Sequence, residues 1–473
     1  MMEIPCGMQE QFLEAKELIE SSNDIKIYTH TDCDGICSGA ILSIILDRLN
    51  KDYEIEFVNL DEIEDLDLDH KLTIFSDLGS GQGVDKNAKD GQKILILDHH
   101  PPLRDINYKN DKAYTYLEIN PMFYGIDGSY YVCGGGLCYF LAKTFGFKDL
   151  SWIGVLSAIG DMQNNKTGHF EGLNEIIQED AINEGLLKVT KNDLNIYGRS
   201  TRPLYVALSY FSDVKLPITN NQQEAKVVLE ELGVDEKHNR KTLSEVTEED
   251  KMEIKKFLSR MISKRVPPKY LKYVPKLIVG DAYTFLNEEE GSFLRDGSEF
   301  STAMNACGRN RKEAIGVDII KGDRLVALDA LEEVSKTHKY NLATSISKVA
   351  DNYHSEIIEL DNFQYFDCSD FDEDIASNII GTITGMVLGY CNWKKPILGF
   401  SKPKNNQIKV SLRCSKLLAY DGIHFGNMMR EIAKEVGGTG GGHAIACGAY
   451  IPNEKKSEFL DKFNRKLKGK IAN

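Results

Sequence analysis

Four short segments of the chain gather residues able to do metal-assisted chemistry: His30-Thr31-Asp32-Cys33-Asp34-Gly35, then Asp77, then Asp98-His99-His100, and finally Gly160-Asp161. Any one of these acids alone reads as a helix cap, because Asp commonly caps the helix that follows a strand. Together they read differently. So many carboxylates at close range would repel and raise one another's proton affinity, a conflict that one or two divalent cations remove. Carboxylate oxygens mixed with imidazole nitrogens suit Mn²⁺ or a similar ion, and lack the thiolates that favour a closed structural zinc site. Two ions about 3.5–4 Å apart can share a bridging carboxylate, activate a water and hold phosphoryl oxygens. The pattern points to a two-metal phosphoesterase.

These segments can meet only if the intervening elements bring them together. Asp24–His30 reads as a strand and Cys37–Asn50 as the helix after it, with further strands at Glu56–Asn59, Leu72–Ser76 and Lys93–Leu97. Helices are expected at Gly135–Phe145 and Ser151–Ile159. Short apolar runs alternating with helical patterns mark a parallel α/β sheet. Ligands of such sheets bind beyond the carboxyl ends of the strands, where His30, Asp77 and Asp98 follow; Asp161 follows the apolar run 152–159.

From about Val189 to Glu290 the pattern turns mostly helical. Gln222–Leu232 and Glu248–Ile262 show apolar spacing of three and four. Ser244 or Thr247 followed by acids at 248–250 supplies a start for the second of these helices, and Val266-Pro267-Pro268 must end it. A third α/β block runs from about Gly291, with a long polar helix around Ala330–Asn352 and a glycine-rich end.

At 473 residues the chain can bury several cores, and 42% hydrophobic with 27% charged residues excludes a disordered or fibrous chain. No apolar stretch is long enough to span a bilayer. The N-terminus lacks a basic segment followed by an apolar core, so a cytoplasmic protein is expected. The ten cysteines form no disulfide or zinc framework, and all are expected as free thiols. A net charge of −15 argues against a coat for non-specific nucleic-acid binding, but the charges are segregated. Residues 54–69 carry eight acids and no base, whereas 254–276 carry eight Lys or Arg and no acid, interleaved with Phe257, Tyr270 and Tyr273. That basic run reads either as a solvated helix face or as a surface for a partner or a single strand.

The ordered set His30-x-Asp32-x-Asp34-Gly35, Asp77, Asp98-His99-His100 and Gly160-Asp161 resembles the four motifs of the DHH phosphoesterase superfamily, which includes RecJ-type exonucleases, oligoribonucleases and family II pyrophosphatases. Val410-Ser411-Leu412-Arg413, followed by Gly440-Gly441-Gly442-His443-Ala444 and Ala446-Cys447-Gly448, is similar to the substrate-binding DHHA1 domain of the nuclease branches. Phe300-Ser301-Thr302 with Asn305-Ala306-Cys307-Gly308-Arg309 resembles a segment of archaeal RecJ-like proteins, the group that includes the GINS-associated nuclease.

The resemblance implies three parts: a parallel-sheet DHH catalytic domain over 1–188, a mostly helical insertion over 189–325 for partner or strand contact, and an α/β DHHA1 domain over 326–473, with the active-site cleft between the lobes. It implies His30, Asp32, Asp34, Asp77, His99 and Asp161 as ligands of two Mn²⁺ ions, with Mg²⁺ or Co²⁺ as alternatives and Asp77 as the bridge. Asp98 would orient a histidine from behind, and His100 would approach the leaving-group or phosphate oxygen. Ser411, Arg413, Gly441, Gly442 and His443 would hold the substrate, the arginine through its bidentate fork.

The implied activity is a Mn²⁺-dependent exonuclease on single-stranded DNA or RNA in replication or repair, with GINS or another replication factor as protein partner. Two other readings stay open. One is a phosphodiesterase for short oligonucleotides or cyclic dinucleotides; the other is a GINS-binding replisome scaffold with little activity, since a replicative-helicase subunit related to the family has lost its own. Cys133-Gly134-Gly135-Gly136 suits either a tight helix start or a position near the metals. Asn305 and Arg309 suit packing of the middle block or contact with the strand, with packing preferred.

Overall fold

Strand side chains face opposite sides of a sheet in alternation, and five short strands in the first part of the chain use this to bury both faces. They are β1 (Ile25–Thr29), β2 (Tyr53–Phe57), β3 (Leu72–Ser76), β4 (Lys93–Leu97) and β5 (Thr115–Ile119), all parallel, in the order β2-β1-β3-β4-β5. The computed structural model describes residues 2–60, 63, 66–109, 113–234, 241–350, 357–368 and 373–471. Ile25, Ile27, Ile74, Leu95 and Leu97 share one core with four helices: α1 (Cys6–Glu20), α2 (Cys33–Arg48), α3 (Gly134–Thr144) and α4 (Ser151–Gly160). On the other face Tyr28, Phe75, Ile94 and Ile96 pack under connecting segments through Val58, Leu68, Val84 and Ala88.

Two strand expectations need correction. β2 lies up to three residues before the expected Glu56–Asn59, because it is an edge strand whose alternating half-exposed residues hide it. β5 was not expected. Its sequence, Thr-Tyr-Leu-Glu-Ile, carries a buried glutamate that breaks the apolar pattern. The first helix after β1 also begins four residues early, at Cys33, because the Asp32 side chain accepts the Gly35 N–H and caps it. Cys33 and Cys37 therefore both sit in this helix. All ten cysteines are free, and nine of them are buried. Four of the eight acids of the acidic run (61, 62, 64 and 65) and the last two residues of the expected helix 330–352 lie outside the described residues; that helix is seen as Val326–Ala350.

The chain packs as two compact units. The first comprises residues 1–192 and 280–335, and the second 193–279 and 336–473. This differs from boundaries at 188 and 325. Phe300, Met304 and Cys307 of the helix Gly297–Arg309, and Ile319 and Ile320 of the helix Glu313–Ile320, belong to the first unit's core. A two-stranded ribbon of β6 (Leu187–Leu194) and β7 (Val279–Phe285) marks where the chain leaves that unit and returns.

In the second unit the inserted helices Gln222–Glu231 and Glu248–Ser263 form where the apolar spacing placed them, and the Thr247 side chain caps the latter. Their core includes Trp393 and Leu417 from the C-terminal block. Tyr270 is 2% exposed and meets Trp393 edge-on, Tyr273 packs against Tyr420, and Lys269 pairs with Asp421. The tyrosines of the basic run are thus occupied in joining the insertion to the C-terminal block, and are not a free stacking surface. The remaining strands are β8 (Ile358–Glu359), β9 (Gln364–Asp367), β10 (Ile397–Phe400), β11 (Gln407–Arg413), β12 (Thr439–Gly442) and β13 (Ala446–Pro452). They form a mixed sheet in the order β12-β13-β11-β10-β9-β8.

Candidate metal centre

The register of the first sheet sets the site. Thr29 pairs with Ser76, Ser76 with Leu97, and Leu97 with Ile119, so four parallel strands end level. The next residues, His30, Asp77, Asp98 and Asn120, follow in one row. Asp77 sits at φ +59°, an unusual left-handed conformation for a side-chain-bearing residue that Asp adopts more readily than most. Its N–H is held by the Leu97 carbonyl at 2.9 Å. Asp161 arrives from a different element, as the residue that closes α4.

Two groups of donors lie side by side. His30, Asp32 and Asp77 form one, and Asp34, His99 and Asp161 the other, with one donor atom from each residue lying within 4.8 Å of the rest of its group. A third group, Asp77, Asp98, His99 and His100, shares a residue with each. Asp77 stands between the first two: its carboxylate is 3.5 Å from His30 Nδ1 through one oxygen and 3.3 Å from His99 Nε2 through the other. His99 Nε2 is also 3.5 Å from Asp34. Three buried atoms here, His30 Nδ1, Asp77 Oδ2 and His99 Nε2, have no hydrogen-bond partner among the described residues. Buried polar atoms are ordinarily satisfied. Three orphans in one cluster of hard oxygen and imidazole donors fit a pair of divalent cations.

Burial and the neighbouring charges shift the proton affinities of the acids and histidines in this cluster. Burial, then the charges of Asp34 and Asp32, push the Asp77 carboxyl well above the carboxylate range. Asp34 is raised too, first by burial and against the pull of His99. Burial works against the imidazolium of His99, but Asp161, Asp77 and Asp34 outweigh it and raise its pKa well above the usual value. His30 is raised in the same way by Asp32 and Asp77, again against burial. Asp32 moves the other way: His30 and the Gly35 N–H overcome burial and hold it low.

Asp98 is committed elsewhere. Its Oδ1 accepts the His99 and His100 N–H groups at 2.8 and 3.2 Å and His100 Nδ1 at 2.8 Å, while Oδ2 accepts the Ser80 N–H at 2.9 Å. The histidine that it orients is therefore His100. His99 is instead fixed by a 2.7 Å bond from Nδ1 to the Gly128 carbonyl, which leaves Nε2 facing the acids. The His100 side chain is 44% exposed, so its ring can meet a substrate oxygen.

Of the residues that support this centre, the sequence singled out Gly134, Gly135 and Asn305, but not Ser157 or Asn120. The N–H groups of Gly134 and Gly135, at the start of α3, donate to the two Asp34 oxygens at 2.8 and 2.7 Å, and Ser157 Oγ donates to the same carboxylate. A helix N-terminus is a natural seat for an anion. A Cβ on Gly134 would stand 2.7 Å from Asp77 Cβ, so the glycine run is needed for close approach to the acids as well as for the helix start. Asn305 Oδ1 accepts the Cys33 N–H at 3.1 Å across 272 residues, which places the 300–309 segment behind the motif loop as packing. Asn120 donates to Ser80 Oγ and to the His100 carbonyl.

The expected substrate residues lie in the second unit. Gly441 pairs with Gly448, and Gly448 with Ser411, so a row of small residues crosses β12, β13 and β11, with Arg413 two residues beyond Ser411 on β11. Gly442 turns at φ +118°, a conformation that L side chains rarely adopt, just before His443. The Arg413 guanidinium bonds the Leu412 carbonyl and lies beside Gly381. Partial burial lowers its pKa, and among the described residues no ion pair with a carboxylate is seen for it. A half-buried guanidinium of this kind is suited to an anionic ligand.

Three family models match: the DHH family N-terminal domain over residues 24–155, the DHH-CID domain over 196–274 and the DHHA1 domain over 361–469. The chain belongs to the DHH family and has a RecJ-like fold. It is 31% identical to the protein MJ0831 of Methanocaldococcus jannaschii over 444 residues, 92% of this chain and 91% of that one. Among solved structures it resembles CDC45 from Entamoeba histolytica, with a TM-score of 0.62 at 15% identity, covering 98% of this chain and 99% of that one. It also resembles RecJ in complex with Mn²⁺ from Thermus thermophilus, with a TM-score of 0.54 at 12% identity, covering 99% of this chain and 55% of that RecJ. No helix among the described residues is long and apolar enough to cross a membrane.

Proposed function

We propose that this protein is a Mn²⁺-dependent exonuclease that hydrolyses the terminal phosphodiesters of single-stranded DNA or RNA to mononucleotides, in replication or repair. The observation that carries this reading is the pair of donor groups joined at Asp77, with its three orphaned buried atoms. His30, Asp32 and Asp77 would hold one cation, and Asp34, His99 and Asp161 the other, with Asp77 as the shared ligand. When bound, the ions supply Lewis acidity that makes water nucleophilic and offsets the charge gathering on the phosphoryl oxygens. The complex of RecJ with Mn²⁺ supports the choice of metal for a fold of this kind.

The chain's own groups do the rest. His100, oriented through Nδ1 by Asp98, would give a proton to the departing oxygen. Gly134, Gly135 and Ser157 keep the Asp34 carboxylate from turning. Arg413, Ser411, Gly441, Gly442 and His443 would bind the strand's phosphates, with the arginine as the principal charge.

The test uses one sequence made as single-stranded DNA and as RNA, labelled at either end, with Mn²⁺, Mg²⁺ or EDTA. Mononucleotide release with Mn²⁺ and none with EDTA is expected, and the label lost first gives the polarity. A rate that falls steeply as the substrate lengthens would replace this reading with an oligonucleotide phosphodiesterase. No cleavage of any substrate would replace it with a binding role, to be tested by pull-down of GINS.

A further inference from the structure

The turn after α4 holds a buried amide that the proposed chemistry does not use. Gln163 is 2% exposed, and its backbone N–H closes the helix on the Ala158 carbonyl. Met162, between it and Asp161, sits at φ +55°, and this left-handed step returns the Gln163 side chain toward the acid two residues earlier. Gln163 Nε2 donates to Asp161 Oδ2 at 2.7 Å and to the Gly128 carbonyl, also at 2.7 Å. That same carbonyl accepts His99 Nδ1 at 2.7 Å. On its other side, Gln163 Oε1 accepts Asn174 Nδ2 at 2.6 Å. Asn174 is 1% exposed in the first turn of α5 (Leu173–Asn183), and its N–H is held by the Tyr131 carbonyl at 2.9 Å.

The chemistry of these contacts fixes the amide. A carboxylate oxygen and a backbone carbonyl both accept, so only an amide nitrogen with its two hydrogens satisfies the pair. Asn174 meets the oxygen end with a donor and keeps the amide from flipping. Two of the three donors in one proposed cation group, His99 and Asp161, are thus tied to a single neutral side chain. A lysine here would bring a positive charge against the cation, and a glutamate would turn an acceptor toward two acceptors.

We infer that Gln163, held by Asn174, is a positioning residue that presets Asp161 and His99 for one of the two cations, through the Asp161 carboxylate and the Gly128 carbonyl. This rests on the two-cation reading above. Outer contacts of this kind typically change metal affinity by about 10- to 100-fold.

The test is calorimetric titration of the metal-free full chain with MnCl₂, with melting of the metal-free protein measured alongside. Gln163→Met keeps the length of the side chain and removes the amide. Asn174→Asp keeps Gln163 but reverses the polarity of its outer bond, turning Oε1 toward Asp161. Both variants should weaken one Mn²⁺-binding event by about 10- to 100-fold, leave the other near its parent value, and melt within a few degrees of the parent. The double variant should be no worse than Gln163→Met alone, because the two side chains act through one amide. If Gln163→Met fails to fold, Asn174→Asp decides. Parent-like isotherms in a folded variant, or equal weakening of both events, would overturn the positioning role. A parent that binds no Mn²⁺ would overturn the two-cation reading as well.

Discussion

Gly134→Ala places the smallest possible side chain against the centre. Its Cβ would lie 2.7 Å from Asp77 Cβ and 2.9 Å from Asp77 Cα. Carbon atoms in contact ordinarily stand about 3.5–4.0 Å apart, so α3 or Asp77 must yield by roughly 1 Å. Asp77 is hard to move, since its N–H is bonded to the Leu97 carbonyl and it already occupies a left-handed conformation. α3 is hard to move too, because the Gly134 and Gly135 N–H groups hold the Asp34 carboxylate. Either shift displaces a proposed ligand. Overpacking of this kind costs about 1–3 kcal/mol of stability, while a 1 Å displacement of reacting groups can cost on the order of 100-fold in rate. Gly136→Ala is the matched control. Its Cβ would meet Val132 Cγ2 at 2.8 Å and Ile177 Cδ1 at 3.0 Å, both ends of apolar side chains. The assay is kcat/KM for Mn²⁺-dependent release of labelled mononucleotide, beside the melting temperature of each variant. The expectation is a similar loss of stability in both variants and a rate loss near 100-fold only in Gly134→Ala. An unchanged kcat/KM in Gly134→Ala, or an equal loss in both, would refute the reasoning.

Asp77→Asn, which tolerates the same backbone conformation, should abolish hydrolysis while the metal-free protein melts no lower than the parent, because a carboxyl crowded by burial, Asp34 and Asp32 becomes a neutral amide; cleavage and melting assays check both halves. Mn²⁺ affinity should rise with pH. His30, His99 and Asp77 all keep their protons to higher pH than usual, and a cation must displace them. The dissociation constant should therefore fall as pH climbs above 6.5, the ordinary imidazole value, and isotherms that superimpose over the next two units or so would contradict this. Arg413→Lys loses the planar fork, and charged hydrogen bonds are worth about 1.5–3 kcal/mol, so KM should rise by roughly 10- to 100-fold with a smaller change in kcat. Steady-state kinetics on a short single strand separates the two.

The amino-acid sequence by itself singled out the acids and histidines that the fold brings together, and much of the scaffold that carries them. β3 and β4 lie at their expected residues, because fully buried strands of a parallel sheet read as continuous apolar runs. The acids and histidines after them were legible because metal-ligand chemistry needs particular side chains at strand ends. β5 was not legible: Glu118 interrupts its pattern, and what makes the segment a strand is pairing with β4. The supporting groups were legible only in part. The glycines at 134 and 135 read either as a helix start or as a position near the metals, because their contacts, like that of Gly128, are made by backbone atoms, which every residue carries. Asn305 reaches Cys33 across 272 residues, and Gln163 draws meaning only from the Asn174 behind it. The tyrosines at 270 and 273 read either as part of a solvated face or as a surface for a partner or a strand, and their actual partners, Trp393 and Tyr420, come from the far end of the chain. Side-chain chemistry is local and can be read in order, whereas orientation comes from contacts between distant segments, which only the tertiary structure brings together.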